Sequence, residues 1–275
     1  MTELKKALLQ VHITSPGPDR ITYTMLHHLN PDSLTNILSL FNRVWKKHCY
    51  PSSWREAIVI PILKPGKVAT DPLIYHPIAM TSCFCKTFER MSGFRKGRST
   101  LDNIVYLESQ IRDAFVRRNH LVSLFFDIEK AYDRTWRYGI LRNLYDFGLR
   151  GNLPIFFNFL VLRYFYVRIG HSSSHKFIQD QGVPQGSVLS VTFFNIHMSS
   201  TLNDLPPSVR GMLCVDDLQI SCQGSDMRLI ERQLQTTANR LVKWCDQKDT
   251  RSLLPRAAVS IFAESVTYIQ ILIFI

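Results

Sequence analysis

Three aspartates at the ends of apolar runs are the residues in this sequence best suited to chemistry. Asp127 follows the run Leu124–Phe126, and Asp216 and Asp217 stand together between two further apolar segments. Carboxylates at the tips of hydrophobic strands need something to offset their charge, and Mg²⁺, which prefers hard oxygen ligands, does so. Two such ions about 4 Å apart, bridged by carboxylates, are the usual apparatus of in-line nucleotidyl transfer. The pattern therefore favours nucleotide polymerisation as a first hypothesis.

Each aspartate also has a plainer interpretation. An aspartate after a strand is commonly a turn residue, because its side chain bonds its own backbone and tolerates turn geometry. A two-metal nuclease also uses clustered acids, although nothing in such an enzyme requires the glycine-bearing loop at residues 182–186. The choice between these interpretations depends on the rest of the chain.

Composition indicates a folded protein with a polyanionic partner. The 275 residues are 45% hydrophobic and 20% charged, with a formal net charge of +11, which suits nucleic acid before a membrane. The six cysteines show no CxxC spacing, which argues against a zinc site. With no signal-peptide pattern, they fit a reducing, intracellular compartment, the cytoplasm or the nucleus. The apolar segment Val266–Ile275 is β-prone and too short to span a bilayer.

The elements that position the aspartates follow from hydrophobic periodicity. We expect a buried strand at 121–126 ahead of Asp127 and a tight hairpin around Asp216 and Asp217. The other predicted elements are a strand at 57–62, a turn at 64–67, a hairpin at 164–178, and helices at 34–45 (capped by Ser33), 99–117 (a capping box at 99–102), 138–147, 153–162, 188–202 and 227–244. Strands and helices mix without regular βαβ alternation, which favours an α+β fold.

A series of longer motifs runs along the chain in a fixed order. They are PGPD at 16–19, IPILKPGK at 60–67, YHPIAMTS at 75–82, GFRKGRSTLDNI at 93–104, FFDIEKAYD at 125–133, QGVPQGSVLS at 181–190 and VDDL at 215–218. In this order they resemble the reverse transcriptase domain of non-LTR, LINE-type retrotransposons, closest to the jockey-like group. The resemblance covers roughly residues 11 to 248.

The resemblance implies a fold and an activity. The fold would be a right-hand polymerase with fingers and a palm, the palm a ferredoxin-like sheet with helices, and with the thumb missing. The activity would be RNA-directed DNA polymerisation, in which a primer 3′-hydroxyl attacks the α-phosphate of a dNTP with the help of two Mg²⁺ ions, or Mn²⁺ in their place. An RNA template, a DNA primer, dNTPs and a larger retroelement polyprotein would be the partners, and no membrane is involved.

The motifs also assign individual residues. They assign catalysis and metal binding to Asp127, Asp216 and Asp217, with the backbone carbonyl of Ile128 completing the metal shell. They assign nucleotide binding to Lys64, His76, Tyr132, Gln185 and Gly186, with the Tyr132 ring beneath the sugar excluding a 2′-hydroxyl. They assign nucleic-acid binding to Arg95, Lys96 and Arg98. From the residues alone, Tyr132 is equally a core aromatic and the three basic residues equally a solvated loop.

The chain also departs from the family's pattern. His76 stands where an arginine is usual, and a histidine is largely uncharged near pH 7; Cys214 stands where a tyrosine is usual. We expect a fingers-type region at 1–120 with an internal deletion near 91–92, a palm at 121–250 and an unassigned tail at 251–275. These departures leave two alternatives open, a catalytically inactive nucleic-acid-binding remnant and a product that does not fold.

Overall fold

The computed structural model describes residues 1–9, 14–93, 100–128, 131–203, 205–214, 217–247, 256–263 and 266–273. Within these ranges, the side chains at 92, 93, 100–103, 127, 214, 247 and 256–273 lie outside the description. The chain divides into two compact units that interleave along the sequence: Met1–Arg95 with Arg137–Phe193, and Lys96–Trp136 with Phe194–Ile275. The predicted division at residues 120 and 250 stays a prediction.

Helices and strands alternate irregularly, as the α+β prediction requires. The described helices are α1 (Thr2–Leu9), α2 (Tyr23–His27), α3 (Pro31–Lys47), α4 (Cys83–Gly93), α5 (Thr100–Val116), α6 (Arg137–Asp146), α7 (Leu153–Leu160), α8 (Val188–Met198) and α9 (Met227–Gln247). The described strands are β1 (Glu56–Leu63), β2 (Tyr75–Met80), β3 (His120–Asp127), β4 (Arg163–Ile169), β5 (Ser172–Ser173), β6 (Phe177–Gln179), β7 (Val209–Cys214), β8 (Asp217–Gly224), β9 (Arg256–Ala263) and β10 (Val266–Ile273).

The first unit packs helices around an aromatic core beside a small mixed sheet. The strand order is β2-β1-β4-β5, with β6 on β4; β1 pairs antiparallel with β2 and parallel with β4. Phe41 of α3 meets Phe84 and Phe88 of α4 edge to face, with ring centroids 5.1 and 5.4 Å apart. Such pairs add to the stabilisation that burial of the rings supplies. This core fixes α4 within the unit.

The second unit is a five-stranded antiparallel sheet in the order β10-β9-β3-β8-β7. Alternate residues of β3 and β8, among them Val122, Phe126, Leu218 and Ile220, are buried with the apolar stripe of α9. Between them on β8, Gln219 and Ser221 are polar, and Ser221 donates to Gln110 of α5 at 2.7 Å. Because a slip of one residue would exchange these two sets, the register of β3 against β8 is strongly specified.

Most predicted elements are confirmed, and one helix cap is wrong. The helix predicted from Ser33 begins at Pro31, and Asn30 is its N-cap, since the Asn30 side chain accepts from the Ser33 amide at 2.8 Å. Asparagine ranks with serine as an N-cap, and proline suits the first helical position, so the earlier cap prevails. The capping box at 99–102 lies outside the described side chains. Among the described residues, no helix is both long and apolar enough to cross a bilayer.

Candidate active site

The β3–β8 ladder brings two of the predicted aspartates to one end of the sheet. Asp127 pairs with Asp217 in the register, as the last residue of β3 and the first of β8, and Asp217 is exposed. Cys214 also pairs with Asp217, so β7 and β8 form the tight hairpin that the sequence predicts. Asp216, between these strands, lies outside the described residues. Oxygen donors at the solvent-facing end of a sheet suit a hard divalent cation.

Of the three predicted metal-binding aspartates, Asp217 is the one with a described side chain. In the described part of the chain, no three His, Cys, Asp or Glu side chains group as a metal site. The side chain of Asp127 and the whole of Asp216 fall outside that part. The metal-binding role of the three aspartates therefore stays a prediction.

Ile128 and Tyr132 follow β3 and enter a small apolar cluster. Ile128 is buried with Ala131, Phe194 and Met198. The Tyr132 ring is half-buried and stacks on Phe194, with centroids 5.4 Å apart and planes 28° from parallel. The ring is thus held by packing on one face, which suits both the core aromatic and the sugar-gate interpretations.

Lys64 and His76 lie close together at one end of the β1–β2 pair. His76 is exposed and pairs with Ile62, two residues before Lys64. The backbone amide of Lys64 donates to the Ile74 carbonyl at 3.0 Å, and its Nζ donates to the Leu73 carbonyl at 3.4 Å. The structure therefore brings together two of the predicted nucleotide-binding residues within the first unit.

Gln185 and Gly186 belong to a loop that leads into α8. Gly182 and Gly186 have positive φ of 70° and 103°. A Cβ at Gly186 would strike the Ala79 carbonyl oxygen, so only glycine fits there. Gln185 is half-buried beside it. The close approach that the structure shows here is to the backbone of β2, and contact with a nucleotide stays a prediction.

Two supports of this loop were missed by reasoning from the sequence. The Glu89 carboxylate of α4 accepts from the backbone amides of Val188 and Leu189 at 2.6 and 3.3 Å. The Arg137 guanidinium of α6 donates to carbonyls at the other end of the loop. The available signal for Glu89 was an acidic residue directly after the aromatic Phe88; its partners in the loop cannot be found by local spacing.

Burial shapes the chemistry around these supports. Burial, and then the nearby Arg163 guanidinium, lowers the pKa of Arg137 to about 10, which leaves it charged at neutral pH. Burial raises the pKa of the Tyr50 phenol and of the Cys85 thiol beside Glu89, so both stay protonated. The loop is thus held by the Glu89 side chain at one end and by the charged Arg137 guanidinium at the other.

The predicted nucleic-acid-binding residues Arg95, Lys96 and Arg98 lie outside the described residues. Their assignment stays a prediction, as do the roles of the other named side chains.

Comparison with known proteins points to one family. Residues 46–248 match the model of the family described as "Reverse transcriptase (RNA-dependent DNA polymerase)". The chain is 26% identical over 260 residues to a probable RNA-directed DNA polymerase from transposon BS of Drosophila melanogaster, covering 84% of this chain and 28% of that protein. It is 24% identical over 290 residues to the RNA-directed DNA polymerase from the mobile element jockey of the same species, covering 96% of this chain and 32% of the relative.

Solved structures show the same fold at low sequence identity. Apo telomerase from Candida tropicalis, truncated from its C-terminal domain, matches 94% of this chain and 58% of its own, with a TM-score of 0.51 and 13% identity. Telomerase from Candida albicans, in complex with a fragment of telomeric RNA, matches 83% of this chain and 46% of its own, with the same TM-score and identity. The chain spans about a third or less of the length of the two transposon relatives.

Proposed function

The chain belongs to the reverse transcriptase family, as a domain of the non-LTR retrotransposon type, and we propose that it extends a DNA primer on an RNA template by a two-metal mechanism. One observation carries the proposal: the register sets Asp127 opposite Asp217 at the ends of β3 and β8. Directly opposed residues of an antiparallel ladder generally stand about 5 Å apart at Cβ. Carboxylates at such positions can share a pair of ions.

The aspartates would hold the ions, and other residues would hold the substrate. Mg²⁺, when bound, supplies the positive charge that activates a primer hydroxyl and stabilises the leaving pyrophosphate. Asp127, Asp216 and Asp217, with the Ile128 carbonyl, are the proposed ligands. Lys64 and His76, adjacent at one end of β1–β2, would bind triphosphate oxygens. The packed Tyr132 ring would lie under the deoxyribose, and Gln185 and Gly186 would contact the incoming nucleotide.

The net charge of +11 supports a nucleic-acid template as the polyanionic partner. Arg95, Lys96 and Arg98 would contact the template backbone. A larger retroelement polyprotein is the proposed context, since the relatives are longer than this chain. We also propose the family's fingers and palm for this fold.

The test is primer extension on poly(rA)–oligo(dT) with dTTP and Mg²⁺. We expect incorporation by the chain and its loss, by at least about a hundredfold, in Asp217→Asn, because the variant keeps the shape and removes the charge that holds a cation. Glu231→Gln, an exposed position on α9, is the control for a lost surface charge and should remain active. Equal incorporation by Asp217→Asn and the unchanged chain would refute the proposed site. No incorporation by folded protein would refute the polymerase proposal and favour an inactive nucleic-acid-binding remnant.

A further inference from the structure

We propose that Glu89 and Arg137 are positioning residues. They clamp the two ends of the loop that contains Gln185 and Gly186 and so hold it in the conformation that binds a nucleotide. The proposal deepens the proposed function and rests on it, because it takes this loop as the nucleotide contact. Both residues and the loop lie in the first unit. Neither residue is among those that the family's motifs assign.

Glu89 clamps the end of the loop where α8 begins. Its Oε2 accepts from the Ser187 hydroxyl at 2.8 Å and from the amides of Val188 and Leu189 at 2.6 and 3.3 Å. The first amides of a helix have no partner within the helix, and the helix dipole favours an anion there. Glu89 therefore caps α8 from a helix 98 to 100 positions away in sequence.

Hydrogen bonds to both carboxylate oxygens offset the cost of burying Glu89. The residue is fully buried, and a buried carboxylate is costly unless its oxygens are satisfied. Its Oε1 accepts from the Tyr50 hydroxyl at 3.2 Å and from the Cys85 thiol at 3.1 Å. Both oxygens are therefore used, one to anchor the carboxylate in the core and the other to hold the helix terminus.

Arg137 clamps the other end of the loop. Its Nε donates to the Gly182 carbonyl at 2.7 Å, and its Nη2 donates to the carbonyls of Gln179 and Gln181 at 2.7 and 3.0 Å. A planar guanidinium fixes several acceptors at once, which a lysine ammonium does less well. Arg137 therefore sets the direction in which the chain leaves β6.

The residues between the clamps have little freedom left. Gly186 lies against the Ala79 carbonyl with a φ of 103°, and its own carbonyl accepts from the Thr81 hydroxyl at 3.4 Å. Val183 is fully buried. A loop fixed before its ligand arrives loses less conformational entropy on binding. The clamps therefore act on nucleotide affinity, through the position of Gln185.

The experiment measures the KM for dTTP, kcat and amide exchange in four variants. Glu89→Ala removes both sets of hydrogen bonds; Glu89→Gln keeps an acceptor for the α8 amides and can donate its amide hydrogens toward Tyr50 and Cys85. Arg137→Ala removes the other clamp without touching the aromatic core. Arg142→Ala, an exposed arginine on the same helix, is the control for a lost charge and should behave as the unchanged chain does.

We expect Glu89→Ala and Arg137→Ala to raise the KM for dTTP roughly tenfold with a smaller change in kcat, since loss of a charged hydrogen bond is an effect of that size. Glu89→Gln should recover most of the affinity. Exchange of the Val188 and Leu189 amides should accelerate in Glu89→Ala, while the last turn of α8 stays protected. General destabilisation would instead reduce the active fraction and leave KM unchanged.

The outcomes separate this inference from the proposed function. Unchanged exchange at Val188 and Leu189 in Glu89→Ala would overturn the cap, whether or not the chain polymerises. Faster exchange with an unchanged KM, in an active enzyme, would overturn the nucleotide-positioning role. If Glu89→Ala fails to fold, an unchanged KM in Arg137→Ala overturns the proposal and a raised one supports it. An inactive but folded unchanged chain would refute the proposed function, and with it the nucleotide-positioning role that rests on it; exchange would still decide whether Glu89 caps α8.

Discussion

At the scale of single residues, the Tyr132 ring should decide which sugar is accepted. Its position is set by stacking on Phe194, so a smaller side chain would open space beside the substrate. We predict that Tyr132→Val lowers the preference for dTTP over UTP about tenfold or more, in line with the discrimination that small steric differences give. The ratio of kcat/KM values for the two nucleotides is the measurement.

The control for this prediction is Tyr132→Phe, which keeps the ring and its stacking. It should retain the preference of the unchanged chain. If Tyr132→Val discriminates as well as Tyr132→Phe does, the ring is a core aromatic and has no role as a gate.

His76 offers a second prediction at this scale, because it is exposed and stands where the family resemblance implies an arginine. An arginine binds phosphate oxygens through a planar fork and carries its charge at any working pH. We predict that His76→Arg lowers the KM for dTTP about fivefold to tenfold. His28→Arg, at an exposed histidine at the end of α2 in the same unit, adds the same charge outside the β1–β2 pair. If the two substitutions lower the KM equally, the gain in affinity comes from the added net charge and not from position 76.

At the scale of elements, the turn before α8 depends on Gly186. Any other residue would be strained at a φ of 103° and would place its Cβ against the Ala79 carbonyl. We predict that Gly186→Ala lowers the free energy of unfolding by about 2–4 kcal/mol, measured by chemical denaturation. Gly170→Ala isolates the backbone contribution, because Gly170 has a φ of 57° with open space around it. Equal losses in the two variants would contradict the clash with β2.

The buried Cys85 thiol on α4 should make the stability of the protein depend on pH. Burial holds the pKa of Cys85 above its usual value of 9.0, so above about pH 9 the unfolded chain loses this proton and the folded chain keeps it. Stability from this group is therefore complete below pH 9 and declines as pH rises, by up to about 1.4 kcal/mol per pH unit. Denaturation at pH 8 and pH 10 should show a smaller loss in Cys85→Ala than in the unchanged chain. Cys49→Ala, at an exposed thiol, should show no such reduction.

The elements also show what the sequence could and could not predict. The apolar segments before Asp127 and around Asp216 and Asp217 are local signals, so they predicted the strands. The meeting of Asp127 with the Asp217 strand end was implied by the two-metal hypothesis and the family resemblance and not by either strand alone. The cap by Asn30 was missed because two suitable caps, Asn30 and Ser33, compete within four residues. Glu89 was missed for a different reason: its partners are about a hundred residues away, and only tertiary packing brings them together.

The tail was likewise only partly predictable. The segment Val266–Ile275 is β-prone in composition, and β10 lies there, but nothing in the sequence predicted β9. Strand β9 pairs with β3 from Leu121 to Asp127. Composition does not determine which strand β9 pairs with.

At the scale of the whole molecule, the charge of +11 predicts salt-dependent binding to single-stranded RNA. Each phosphate that a lysine or arginine neutralises releases condensed counterions and contributes about −0.7 to the slope of log K against log salt. If Arg95, Lys96 and Arg98 each contact a phosphate, replacing all three with alanine should reduce the magnitude of that slope by about two. Fluorescence anisotropy with labelled poly(rA) over a salt series measures it.

The control for this prediction must remove the same charge elsewhere. Arg43, Lys46 and Lys47 are exposed on α3, and replacing them with alanine lowers the net charge equally. If the slope is unchanged in this triple variant but reduced in the variant of Arg95, Lys96 and Arg98, the template contact lies at residues 95–98. Equal reductions would mean that the RNA responds to the overall field, in which case those three residues are a solvated loop. A local contact and a diffuse field both attract RNA, and only a difference in slope at equal net charge distinguishes them.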